Sequence, residues 1–376
     1  MLLRPGTLLS IAVLAVIVPL SWDKDGVFVA LLGDLSGFLL ALAAMQLGIL
    51  LGALAFGVRV HYVMVGVGAK VREWSSPRRR VVLRAIPLLF HVGIGPQRAP
   101  ARRRMWLASI GSATVGLIAV GLCWLGAGAT YWMGAAVSAT ATLAHSLLPR
   151  RTAGSTSVGW YLFRLPGLTG RPAAELDAAP LVAQTVDAME AGNLDAAERS
   201  ARQLADLHPQ LNSATAARAA LLNARGRYGE GLLLISGLMR LPDQQPREMA
   251  MVLAGMAGLA AAAVEAGQLE PDVGLPAAHR AADGAAELGC PKYRLTGTLG
   301  LLALLEGEPH KAISLATQGA ELSDYALTRA DDLATVARAH MAAGNNAAAR
   351  EALAEAETLA AWWPRVAETR ARLDIS

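Results

Sequence analysis

Two stretches of this chain run the length of a bilayer crossing without a charged residue, and they limit its possible folds more than any other feature. Leu35–Val58 and Met105–Leu125 are apolar and uncharged, and a bilayer core takes about 20 helical residues. Tyr131–Leu148 is uncharged and slightly shorter. Thr7–Trp22, preceded by Arg4, is shorter again. That first run could be a signal peptide. Its thin basic lead and its Ser21-Trp22-Asp23 end, which lacks a small-x-small cleavage site, favour a retained span. The sequence thus predicts spans at about 7–22, 35–58, 105–125 and 131–148.

Charge divides the chain in two. Residues 1–171 hold four carboxylates and 17 Lys/Arg, whereas the remaining 205 residues hold 26 carboxylates and 17 Lys/Arg. The net charge of +4 hides this split. Basic residues crowd beside apolar spans, which is the pattern of membrane topology and argues against nucleic acid as a partner. The loop 59–104 carries 11 Lys/Arg and one acid, and Arg150 and Arg151 follow the last run. Basic loops stay in the cytoplasm. The expected protein is a multi-pass cell-membrane protein with both termini cytoplasmic, and Asp23-Lys24-Asp25 faces out. Asp34 falls near the outer boundary, where water reaches it. Arg78-Arg79-Arg80 and Arg102-Arg103-Arg104 would attract anionic lipid. Within the loop, Val58–Val65 alternates as a strand does. Val81–Val92 is a second apolar stretch, broken by Pro87, so a small sheet is expected. Cys123 and Cys290 suggest no disulfide framework.

After a linker at 166–177 the composition turns to Ala, Leu, Glu and Arg, and no strand pattern persists. A motif of Gly, any residue, an often apolar residue, two variable positions and a small residue recurs. It runs Gly192 to Ala197, Gly226 with Tyr228 to Gly231, Gly307 to Ala312, and Gly344 to Ala349, with a weaker copy at Gly267-Gln268-Leu269. Glycine suits a left-handed turn ending one helix, and the small residue lets the next helix approach closely. The first two glycines are 34 positions apart, and Pro209 and Pro242 fall after the second helices. This pattern resembles the tetratricopeptide repeat over residues 178–362. The resemblance implies an α-helical solenoid over 178–376 that binds a protein partner on its concave face.

Chemistry is sparse. None of the seven histidines has a helical i, i+4 partner, and no phosphate loop or nucleophile elbow is present. The run Met45 to Val60, MQLGILLGALAFGVRV, nonetheless ends in Gly57-Val58-Arg59-Val60 and leads into a β-rich loop. Further on stand Val65-Gly66-Val67-Gly68, Ile86-Pro87, Gly111-Ser112, Ser146-Leu147-Leu148-Pro149-Arg150-Arg151 and Gly154 to Trp160. In this order they resemble the layout of the intramembrane zinc proteases of the site-2 protease type, peptidase family M50, over residues ~35–165. That family carries His-Glu-x-Gly-His on a membrane helix, with a later Asp as third zinc ligand. The match puts Gly48 on the motif glycine, Met45 and Ile49 at the histidine positions, Gln46 at the glutamate and Val158 at the aspartate. None of these side chains can hold catalytic zinc or act as general base.

The expectation is a mainly α protein. Residues 1–165 form a polytopic transmembrane domain with a small β-containing loop, and an α-helical repeat solenoid follows. The Ala/Arg-rich composition fits a bacterium of high genomic GC content, and the resemblance implies a catalytically inactive membrane-anchored adaptor. It has no cofactor and no metal. Its partners are membrane lipid, a protein held by the repeats and, in the retained groove, a transmembrane segment. Two alternatives stay open: an active metalloprotease with non-standard ligands, and a small transporter component.

Overall fold

The computed structural model describes residues 24–76, 79–151, 156–240, 245–323 and 325–375, so the span expected at 7–22 lies outside it. Among the described residues the chain is mainly helical, with fifteen α-helices and one two-stranded antiparallel ribbon. It divides into two compact units, Met1–Pro180 and Leu181–Ser376.

In the first unit, helix α1 (Lys24–Phe56) has 33 residues, about 50 Å at 1.5 Å each. It carries two Gly-x-x-x-Gly pairs on different faces. Gly48 and Gly52 meet α2 (Ala101–Leu125), where a Cβ would fall 2.5 Å from the Gly111 carbonyl oxygen and 2.6 Å from that of Ala108. Gly33 and Gly37 meet α3 (Thr130–Leu147) at Tyr131 and Ala135, again with no room for a Cβ. Such pairs let helix backbones touch where apolar side chains gain nothing over lipid. A core of Ala41, Met45, Val120, Cys123, Ala135 and Leu143 fills the three-helix contact. Outward, Leu35, Leu47, Leu51 and Leu54 on α1 and Leu117, Ile118 and Leu122 on α2 are exposed. Gly26–Phe56 and Ala101–Leu125 are long and apolar enough to cross a membrane, and exposed apolar surface of this extent points to membrane association. The helix at the span expected over 131–148 is present as Thr130–Leu147 but does not reach that apolarity.

Strands β1 (Arg59–Ser76) and β2 (Arg79–Gly95) pair from Arg59↔Gly95 outward to Ser76↔Arg79. The ribbon is longer than the alternation predicts. Pro87 does not break β2, because it falls where the register shifts, between the pairs Val65↔Phe90 and Val67↔Ile86. Gly66, at φ 98°, takes the left-handed conformation that the irregularity needs. Val60 and Val92 tie the ribbon base to Ile49, Met105 and Leu165. Arg104 donates to the Phe56 carbonyl at 2.6 Å, capping α1, and Arg102 pairs with Asp177 at 2.9 Å. Two of the three arginines of the 102–104 run expected to attract lipid therefore have intramolecular partners. Asp34, expected at a wetted boundary, is ten residues into α1, with one oxygen shielded and Ser138 beside it.

The short helix α4 (Val158–Phe163) is followed by α5 (Gly170–Glu190). The segment expected as a linker is thus helical from Gly170, and the unit boundary falls at Pro180 inside that helix.

The second unit is built from helical hairpins. Helix α5 turns into α6 (Leu194–Leu207), α7 (Asn212–Ala224) into α8 (Tyr228–Ser236), and α9 (Pro246–Glu265) into α10 (Pro271–Glu287). Helix α11 (Thr296–Leu305) turns into α12 (Pro309–Leu322) and α13 (Ala326–Ala342) into α14 (Asn346–Ala360), and α15 (Pro364–Ile375) ends the array. Pro246–Glu265 also has the length and hydropathy of a span. Its apolarity has another cause: it packs on several sides, against residues of α8, α10 and α11.

Candidate functional site

The positions that would carry chemistry lie on consecutive turns of α1. Met45 is buried between α2 and α3, where a Cβ at Gly116 would fall 2.9 Å from its Cγ and 3.1 Å from Leu143. Its carbonyl accepts from the Ser112 hydroxyl at 2.8 Å. Gln46 turns toward the ribbon, and its Oε1 accepts the Val92 N–H at 2.8 Å. Ile49 is one turn further, in the cluster with Val60, Val92, Met105 and Leu165, against which Trp160 and Tyr161 of α4 pack. Val158 opens α4 and is half-buried, just after Ser157, whose hydroxyl accepts the Trp160 N–H. The structure therefore sets α4 against the group that holds Ile49, while Met45 belongs to a separate cluster.

A thioether, an amide and two alkyl groups do not fit a zinc ion that must bind and ionise water. Gln46 cannot take a proton, and its acceptor oxygen is already used. Among the described residues no three His, Cys, Asp or Glu side chains group to hold a metal ion. His279 pairs with Glu306 at 2.6 Å.

The repeat glycines share one geometry. Gly192, Gly226, Gly267, Gly307 and Gly344 have φ between 67° and 80°. At Gly192 the glycine N–H bonds to Met189 at 2.9 Å and the next N–H reaches Ala188 at 2.9 Å; the same pair of bonds recurs at the other four. This pair of hydrogen bonds satisfies the last carbonyls of the first helix and reverses the chain. Ala197, Ala312 and Ala349 are fully buried at the close approach of the second helix, and Tyr228 is buried in the second copy. Asn193 and Asn345 cap the helices that follow. A sixth turn of this kind at Gly289 was missed because no small-residue motif follows it.

What lies between the hairpins was not legible from the motif. In an open solenoid each repeat touches only its neighbours. Here the segment before and into α15 returns to the first turns. A Cβ at Gly192 would fall 2.9 Å from the Trp362 indole nitrogen, and one at Gly226 would fall 3.5 Å from Pro364. Arg365 is buried and donates to Glu265 at 2.5 Å, to Asp331 at 2.8 Å and to the Thr335 hydroxyl at 2.9 Å. Arg338 pairs with the same Glu265. Burial alone would raise the Glu265 carboxyl, but the two guanidiniums outweigh it and hold it at about 2. One apolar core joins Met189, Ala201 and Leu221 to Leu333, Leu353 and Val366. The array closes on itself: its first and last hairpins share this core, and the start of α15 packs against the first two glycine turns.

No protein-family model matches this chain, and no curated protein or solved structure is significantly similar to it.

Proposed function

We propose that the chain is a membrane-anchored binding protein with no protease activity, a degenerate relative of the site-2 proteases whose tetratricopeptide-like unit serves as a cytoplasmic adaptor. The observation that carries this is the use of the α1 side chains. Met45 and Ile49 sit in two apolar clusters and Gln46 bonds to the backbone of β2, so each position that would do chemistry does packing. The outward leucines of α1 and α2 support the anchor. The basic loop and Arg150-Arg151 support cytoplasmic termini. The five equivalent hairpin turns support the repeat assignment.

The partner protein docks on exposed apolar surface of the second unit, where Leu207, Leu233 and Val273 stand clear of its core. The test uses the full chain purified from membranes. Zinc stays far below one atom per chain, and a transmembrane peptide is not cleaved. Photo-crosslinkers placed beside Leu233 and Val273 capture a defined protein. Stoichiometric zinc together with cleavage abolished by Gln46→Ala would overturn the proposal.

A further inference from the structure

The second unit contains a cavity of about 350 Å³ between α9, α11, α12, α13 and the turn at 290–294. Its walls are mostly apolar, with Met251, Leu301 and Leu322 among them. Asp332 of α13 lines it, is 7% exposed, and takes no hydrogen bond or ion pair among the described residues. A buried polar group without a partner is expensive, and native folds keep few of them. Two helical glycines make room for this one. A Cβ at Gly319 would fall 2.7 Å from the Asp332 Oδ2, and one at Gly297 would overlap the carboxyl group outright. Glycine inside a helix is itself unfavourable, so the chain bears a double cost to keep a free carboxyl at this place.

The surroundings favour one ligand chemistry. Asp331 lies on the same wall, and its carboxylate raises the cost of a second negative charge. Arg365, the cation that also acts on Asp332, is committed to Asp331 and Glu265. Tyr293 and Tyr325 are exposed along the lining, suited to hold a cation against their rings. Arg294 is also there and disfavours a second positive charge. Cys290 is buried beside them as a free thiol.

We infer that this cavity binds a singly charged primary ammonium on an apolar stem, with Asp332 as its counter-ion. Entry of the ammonium lets Asp332 ionise: the carboxylic acid releases its proton to solvent, and the carboxylate accepts a charge-assisted hydrogen bond from the N–H of the ligand. A free amine and a lysine side chain share this chemistry. The site does not depend on the adaptor role proposed above.

The experiment is calorimetry on the full chain in detergent with three probes: 2-phenylethylammonium, Nα-acetyl-lysine methylamide and the neutral 2-phenylethanol. At least one amine should bind tenfold or more tightly than the alcohol. Which one does so tells free amine from lysine. Burial and Asp331 push the Asp332 carboxyl up to about 8, against the pull of Arg365. Binding at pH 7 should therefore release close to one proton, read from the enthalpy in buffers of different ionisation heat. Affinity should rise up to tenfold per pH unit from 6 toward 8. Asp332→Asn should abolish proton release and cost the amine at least tenfold. Gly258→Leu, at a wall position where a Cβ meets nothing closer than 3.6 Å, should block entry in a folded protein. Absence of amine binding at millimolar concentration, equal affinity for the alcohol, or unchanged amine binding in Asp332→Asn would overturn the inference.

Discussion

Glu265 and Asp332 are both carboxylates inside the same helical unit, and their neighbours send them in opposite directions. Two guanidiniums hold Glu265 ionised down to about pH 2, whereas burial and Asp331 keep Asp332 protonated up to about 8. The Glu265 cluster is costly to assemble, but losing one partner from such a cluster costs about 3–5 kcal/mol because the other charges stay buried. Asp332 sets a pH dependence of definite sign. An unfolded aspartate releases its proton near 4, and the folded one holds it to about 8. Between those values the folded state binds the extra proton, so stability falls as pH rises, by about 1.4 kcal/mol per unit. Asp332→Asn keeps the shape of the neutral acid and removes the titration. It should match the parent near pH 4 and exceed it increasingly up to pH 8. Thermal unfolding of the full chain followed by circular dichroism at pH 4.5, 6 and 8 measures this, and a constant difference between the two proteins contradicts it.

At the scale of elements, α1 organises the first unit because it offers a glycine pair to each of two neighbours. Gly33 and Gly37 have backbone of α3 where a side chain would go. Gly37→Leu should therefore separate α1 from α3 and lower the midpoint of thermal unfolding in detergent by several degrees or more. Gly121→Leu on α2, where a Cβ meets nothing within 4 Å, should leave it within a degree or two. Equal effects would show that close backbone approach is not what holds the helices. These pairs were legible in the sequence as Gly33-x-x-x-Gly37 and Gly48-x-x-x-Gly52. Gly48 was matched to a protease motif, while its spacing to Gly52 records a packing face. The strands at 59–76 and 79–95 were legible in part. Alternation announces a strand, but it does not reveal that a register shift lets one pass through Pro87.

At the scale of the whole molecule, the hairpin turns suggest an open array and the packing makes a closed one. If α15 is the plug that closes it, deleting residues 361–376 should do more than fray α14. The deletion removes Trp363, Val366 and Leu373 from a core shared with the first hairpins. Limited proteolysis of the otherwise intact chain should then cut near 208–211 and 241–245 as readily as near 323. An open solenoid predicts new cuts only in the last hairpin.

The sequence by itself determined the two uncharged apolar runs, the division of charge, the strand pair and the glycine turns. Each of these is written in residues a few positions apart, through hydropathy, alternation or a left-handed turn. Only the tertiary structure decided that Met45, Gln46 and Ile49 serve packing, that Arg365 meets Glu265 a hundred residues away, and that glycines from two other helices leave the Asp332 carboxyl open to a cavity. Those outcomes depend on which distant side chains come within 3 Å of each other, and no local pattern encodes that distance.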